Sequence, residues 1–166
     1  DTPYILREPA HAFTTEGIAM LFGRQSRDAE WMHHMLDLSR DEYNQIKTVT
    51  EKYAQLKQLI FARWAMVMYQ FEKSLYSDPD QDLNQLWWSL VQHYQLVSKP
   101  ADRDKPDWAA KIHIALYPCY YHNYLLGELF ASQLHYHIKK TKSDKNKTIF
   151  ADNREIGRYL KNNVFI

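Results

Sequence analysis

Apolar residues recur every three or four positions along most of the chain, which is the spacing of one face of an α-helix. The pattern is longest from Ser39 to Ser77, where no proline or glycine interrupts it. Ser39, with Glu42 three residues later, has the form of a capping box. Between Leu59 and Phe71 nearly every position is apolar. We therefore predict one long helix that is buried on several sides over this stretch.

Five shorter segments share this period, and only four glycines and six prolines interrupt the chain. Thr14 and Thr15 are the predicted N-cap of the first helix, Asp28 of the second and Asp152 of the last. No alternating pattern longer than Lys111 to Leu116 indicates a strand. The expected fold is all-α, a bundle of about six helices with one long central helix. The predicted helices are residues 16–25, 29–36, 39–77, 83–94, 120–140 and 153–164.

Composition narrows the classes of function. A chain of 166 residues can bury a real core and is most simply one domain. The formal charge is only +1, from 21 Lys and Arg against 20 Asp and Glu, so we expect no nucleic-acid partner. No apolar run approaches the roughly 20 residues of a membrane-spanning helix. The single Cys119 excludes an intramolecular disulfide and leaves the cellular compartment open.

The stretch from Ala110 to Glu128 concentrates chemically active side chains. Lys111 and His113 alternate, so both can point the same way from an extended segment. Tyr121 and Tyr124 are three residues apart and share a face if a helix follows Pro118. These four side chains could converge on one anionic or carbonyl-bearing ligand.

A structural explanation accounts for the same residues without a ligand. The tyrosines can be amphipathic core residues with solvated hydroxyls, and Lys111 a solvated cation. Glu16, in the opening turn of the first predicted helix, can be explained by the helix dipole alone. A long buried helix in so short a chain also suggests a piece cut from a larger body.

Three motifs in order resemble one known family. They are F-T-T-E-G-I-A-M-L-F-G-R, the long Trp-rich helix, and A-K-I-H followed by Y-H-N-Y-L-L-G-E. Together they resemble the C-terminal half of the catalytic core of angiotensin-converting-enzyme-like zinc peptidases. The last motif is also similar to thimet oligopeptidase and oligoendopeptidase F. The resemblance implies that residues 1–166 are the C-terminal helical subdomain of a larger, gluzincin-type peptidase catalytic domain.

The resemblance also implies roles for individual residues. Glu16 falls at the third zinc ligand of the family, and His113 and Tyr124 at the two donors to the oxyanion. Lys111 and Tyr121 fall where the carboxylate of the substrate is held. The other two ligands and the general base belong to a His-Glu-x-x-His helix, which would lie roughly two dozen residues before Glu16. No such motif occurs in these 166 residues.

The chain is therefore expected to supply part of a zinc-dependent peptidase of peptidyl-dipeptidase or oligopeptidase type. Alone it should be inactive and should not bind zinc tightly. Its expected partners are a peptide substrate and the N-terminal half of the same protein. The alternative is a non-catalytic helical module, derived from this family, that binds peptides or another protein. A third interpretation is an unrelated helical bundle whose Tyr and Lys residues line a core.

Overall fold

The computed structural model describes residues 3–142, 150 and 153–165, and these residues contain helices and loops but no strand. The predicted all-α class is confirmed. Short 3-10 turns occur at Tyr4–Leu6, Gln25–Arg27 and Asp107–Ala110. The α-helices of this part are α1 Ala12–Gly23, α2 Ala29–Met35, α3 Arg40–Ser77, α4 Leu83–Gln95, α5 Ile112–Ala115, α6 His122–Lys142 and α7 Arg154–Asn163.

Helix α3 is the predicted long helix, with 38 residues. Its start is the predicted capping box. The Ser39 amide and hydroxyl both donate to Glu42 Oε2 at 2.7 Å, and the Glu42 amide donates back to Ser39 Oγ at 3.2 Å. The hydrogen bond from the Ser39 hydroxyl, followed by that from its amide, lowers the pKa of the Glu42 carboxyl. The local sequence alone therefore sets where this helix begins.

The chain divides into two compact units. The first comprises Asp1–Gln55 and Gly127–Ile166, and the second Leu56–Leu126. Helices α3 and α6 each contribute residues to both units.

The first unit has a core built by α1, α6 and α7. Its buried residues are Leu21, Ala131, Leu134, Ile138, Ile156 and Leu160. Helices α1 and α6 lie close together at two glycines, Gly17 and Gly127. A Cβ placed on Gly127 would lie 2.9 Å from both the Glu16 Cβ and the Gly17 backbone nitrogen. Only a residue without a side chain allows this distance between the helices.

The second unit has a core that is rich in aromatic rings. Its buried residues are Val67, Met68, Phe71, Trp87, Val91 and Ile114. The Trp87 ring packs edge-to-face against Phe71 and Trp64, with centroids 5.1 and 5.7 Å apart. The expected burial of α3 is only partly correct, because Leu59 and Ile60 are 61% and 48% exposed.

Two predicted N-caps differ in the structure. Helix α1 begins at Ala12, and its cap is His11, whose Nδ1 accepts from the Phe13 amide at 3.2 Å. The Thr14 hydroxyl donates to the His11 carbonyl at 2.6 Å, so it lies inside the first turn. In α7 the capping side chain is Asn153, which accepts from the Glu155 and Ile156 amides. The predicted cap, Asp152, lies outside the described residues.

The extended segment predicted from Lys111 to Leu116 is wrong. Lys111 alone is extended, and Ile112–Ala115 form the single turn of α5. The described residues offer no strand to pair with this segment, so its backbone groups are satisfied within a helical turn instead. A short apolar run of this kind cannot be distinguished from a buried helical turn by its period.

Candidate functional site

His113 and Tyr124 contact each other directly in the second unit. Their atoms Nε2 and Oη are 3.0 Å apart, and the two rings are nearly perpendicular with centroids at 5.3 Å. The residues are eleven positions apart, and they meet because the chain turns at Pro118 between α5 and α6. The structure therefore brings together the two predicted oxyanion donors.

Three further tyrosines surround this pair. The rings of Tyr117, Tyr120 and Tyr121 lie 6.4, 6.3 and 5.0 Å from the His113 ring. We call His113, Tyr124 and these three residues the tyrosine cluster. Burial is the main reason that the pKa of the Tyr121 phenol is raised. Its hydroxyl therefore stays protonated at neutral pH and can donate a hydrogen bond.

The turn that joins the pair is held by a buried carboxylate. Glu72 on α3 is only 7% exposed and accepts a hydrogen bond from the Cys119 backbone amide. Cys119 has φ 56°, in the left-handed region, where a non-glycine residue is uncommon. Sequence reasoning missed Glu72. The available signal was an acidic residue directly after the apolar run that ends at Phe71.

Lys111 has different neighbours from His113. Its Nζ lies over the rings of Trp64 and Trp87, at 5.2 and 5.8 Å from the centroids. The expectation that Lys111 and His113 point the same way is therefore wrong, since the turn of α5 separates residues that an extended segment would align. The Trp64 side chain also acts on Tyr121, where it lowers the pKa of the phenol against the larger effect of burial. Sequence reasoning missed Trp64, which contacts both residues predicted to hold a carboxylate.

An open cavity of about 470 Å³ lies beside Lys111. Its walls include Trp64, Trp87 and Trp88. Arg103 also lines it but is paired with Asp107, to which its Nε donates at 2.7 Å. This hydrogen bond is the main reason that the pKa of Asp107 is lowered. Lys111 is held by the faces of aromatic rings, an attraction that leaves its ammonium hydrogens available to an anion.

Glu16 belongs to the first unit and lies partly buried on α1. The first turn of α1 contains no acidic residue, because the helix begins earlier than predicted. The helix dipole therefore does not explain Glu16. Its role as a zinc ligand stays a prediction.

The donor set does not fit a complete zinc site. Catalytic zinc sites take three protein ligands, and within residues 3–142, 150 and 153–165 no three His, Cys, Asp or Glu side chains come together to hold a metal. Glu16 alone cannot hold zinc, so the described residues do not by themselves form the centre that the resemblance implies.

Comparisons of the chain with protein-family models, curated proteins and solved structures gave no match. The family assignment therefore rests on the resemblance of the motifs. No helix in the described part of the chain is long and apolar enough to cross a membrane.

Proposed function

We propose that this chain is the C-terminal part of a zinc-dependent peptidase of peptidyl-dipeptidase or oligopeptidase type. The observation that carries the proposal is the 3.0 Å contact between His113 Nε2 and Tyr124 Oη. The motif resemblance singles out these two residues as a pair, although a turn separates them in the chain. Their contact places both side chains close enough to act on one oxygen of a substrate.

In the proposed reaction, Tyr124 and His113 stabilise the negative oxygen of the tetrahedral intermediate. A phenol can donate its hydrogen while its oxygen accepts another hydrogen bond. With the proton on Nε2, His113 donates to the Tyr124 oxygen and polarises the phenol, whose hydrogen would be directed to the oxyanion when the substrate is bound. Donors that are oriented before the substrate arrives are the most effective, since no reorganisation is needed during the reaction.

Lys111 and Tyr121 would hold the C-terminal carboxylate of the peptide. Lys111 is fixed over the Trp64 and Trp87 rings and lines the open cavity. An ammonium beside apolar walls attracts a carboxylate more strongly than one in bulk water. This contact would favour release of short C-terminal pieces over internal cleavage.

The rest of the active centre would come from the N-terminal half of the same protein. Zinc supplies Lewis acidity and an activated water in peptidases of this kind, and here Glu16 would contribute only one ligand. The chain alone is therefore proposed to be inactive.

The test is Tyr124→Phe in the complete protein. The change deletes one hydroxyl and hardly alters packing. Loss of one oxyanion donor typically costs roughly 3 kcal/mol, on the order of a hundredfold in turnover. Because the donor acts in the transition state, we expect kcat to fall and KM to stay nearly constant.

The matched control is Tyr117→Phe, whose side chain belongs to the same cluster but is 55% exposed. It should leave turnover almost unchanged. If Tyr124→Phe turns over peptides as fast as Tyr117→Phe, the catalytic assignment is wrong.

The alternative proposal is a non-catalytic peptide-binding module. The open cavity beside Lys111, with its three tryptophan walls, would then capture peptide ends without cleavage. The upstream sequence separates the two proposals, because only the enzyme needs a His-Glu-x-x-His before Glu16. Calorimetry with free-acid and amidated peptides on a protein without that motif would test the module.

A further inference from the structure

Glu72 on α3 is a buried carboxylate that has no part in the proposed reaction so far. It is 7% exposed. Within the part of the chain that the structure describes, no Lys, Arg or His side chain forms an ion pair with it. A buried charge is costly unless other groups donate hydrogen bonds to it. The donors that contact Glu72 should therefore explain why a carboxylate occupies this position.

Two donors among the described residues reach the same oxygen, Glu72 Oε1. One is the Cys119 backbone amide, 47 positions further along the chain. The other is the Tyr76 hydroxyl, one helical turn away at 3.4 Å. The Tyr76 contact is long for a hydrogen bond, and its side chain is 54% exposed. The contact with the Cys119 amide is therefore the stronger one, and it connects α3 to a distant segment.

Cys119 lies in segment 116–121, which links α5 to α6 and so connects His113 to Tyr124. Its φ of 56° is in the left-handed region, which is unfavourable for residues other than glycine. A conformation of this kind persists only where the surrounding contacts enforce it. The hydrogen bond from the Cys119 amide to Glu72 is such a contact.

The acceptor is carried by a well-packed part of α3. Phe71, the preceding residue, is fully buried. Its ring packs against those of Trp87 and Trp108, with centroids 5.1 and 5.5 Å apart. A group on a packed helix holds its partner more precisely than a group on a loop. Glu72 therefore fixes the turn at Cys119 relative to the core of the second unit.

We propose that Glu72 is a positioning residue of the peptidase. It holds the left-handed turn at Cys119 and thereby sets the contact between His113 Nε2 and Tyr124 Oη. The effect on turnover rests on the proposed function, whereas the effect on the contact between the two rings does not. A displacement of about 1 Å at a catalytic pair can lower turnover by about a hundredfold, so a residue that acts only through the turn can have a large effect.

The first experiment measures the contact between the His113 and Tyr124 rings by NMR in the purified chain. Glu72→Met removes the acceptor and keeps a side chain of similar length, whereas Glu72→Gln keeps an acceptor oxygen. We expect nuclear Overhauser contacts between the two rings in the parent chain and in Glu72→Gln. They should be lost or clearly weakened in Glu72→Met. Ring contacts of parental strength in Glu72→Met would overturn the proposal.

Glycine at position 119 separates an effect on the turn from an effect on general stability. Because glycine adopts left-handed backbone readily, Cys119→Gly in the Glu72→Met background should restore the ring contacts. A loss that came from a damaged core would not respond to a change at Cys119, which is exposed. Failure of Cys119→Gly to restore the contacts would therefore count against the positioning role.

The second experiment measures peptide turnover in the complete protein. Glu72→Met should lower kcat by about tenfold to a hundredfold with KM nearly constant, because the displaced pair acts in the transition state. Cys119→Gly should recover part of this loss. The matched control is Tyr76→Phe, which removes the other donor to Glu72 Oε1 and should leave kcat almost unchanged. An equal loss in Tyr76→Phe and Glu72→Met would refute the role of the turn.

Failure of the positioning role can be distinguished from failure of the peptidase function. If the ring contacts depend on Glu72 but Tyr124→Phe leaves turnover intact, Glu72 positions the pair and the peptidase assignment is wrong. If Tyr124→Phe lowers kcat but Glu72→Met changes neither the ring contacts nor kcat, the peptidase assignment stands and the positioning role is wrong.

Discussion

Gly127→Ala tests the close contact between α1 and α6 in the first unit. The added Cβ would lie 2.9 Å from the Glu16 Cβ and from the Gly17 nitrogen, and 3.1 Å from the Glu16 carbonyl carbon. Ordinary carbon contacts are about 3.5–4.0 Å. Two of the three neighbours are backbone atoms, which cannot rotate away. Helices α1 and α6 would therefore have to move apart.

The size of the effect follows from two opposing contributions. Alanine in a helix interior is about 1 kcal/mol more favourable than glycine. Overpacking of a tight contact typically costs about 1–3 kcal/mol, and a gap of about 0.5–1 Å along the helix interface loses a quarter to a half of its dispersion energy. Because the overpacking cost is offset in part by the helix propensity of alanine, we expect Gly127→Ala to lower the free energy of unfolding by up to about 2 kcal/mol.

The chain offers two matched comparisons. Gly157 lies inside α7 with nothing within 4 Å of an added Cβ, so Gly157→Ala should raise stability by up to about 1 kcal/mol. Gly17→Ala brings its Cβ to 2.5 Å from Phe130 Cδ1, a ring atom that can shift, and to 3.1 Å from one backbone atom, the Gly127 carbonyl oxygen. Its effect should be smaller than that of Gly127→Ala.

The assay is urea unfolding followed by far-UV circular dichroism, with the three variants and the parent chain measured together. The expected order of stability is Gly157→Ala, parent, Gly17→Ala and then Gly127→Ala. A Gly127→Ala variant as stable as Gly157→Ala would refute the close approach of α1 and α6.

Three more outcomes are expected. Burial lowers the native pKa of His135 to about 4, below its unfolded value of about 6.5. The unfolded chain therefore binds the proton first, and stability falls as pH drops from 6.5 to 4, by about 1–2 kcal/mol once solvent screening of the partly exposed ring is allowed for. An unchanged pH slope in His135→Gln would contradict this. In the complete protein, Lys111→Ala should weaken the binding of free-acid peptides and barely affect the binding of amidated peptides. Equal cleavage of both forms by the parent protein would show that Lys111 does not hold a substrate carboxylate. Dialysis of the chain against a weak chelator should leave no stoichiometric zinc, whereas zinc retained through Glu16 would show that the ligand count is wrong.

The helices themselves were predictable because their signals are local. The period of three or four and the Ser39–Glu42 capping box define α3 through residues that are neighbours along the chain. The same logic predicted the cap at Asp28 and the helix after Pro118. It failed at Lys111 to Leu116, where the absence of a pairing strand decides the conformation.

The candidate site likewise has features that local sequence predicts and features that depend on long-range contacts. The order of the motifs was enough to pair His113 with Tyr124 as a prediction. The sequence did not identify Glu72 as the carboxylate that holds the Cys119 turn, or Trp64 as the ring beneath Lys111. Both act on residues more than forty positions away, and no pattern within one helix encodes such a contact.

Sequence alone therefore determined which of the longer segments are helical and which side chains carry the candidate chemistry. The tertiary structure decided which of them meet. Gly17 and Gly127 show why, since each is merely a weak helix former in its own segment. Their importance arises only where two helices cross so closely that no Cβ fits between them.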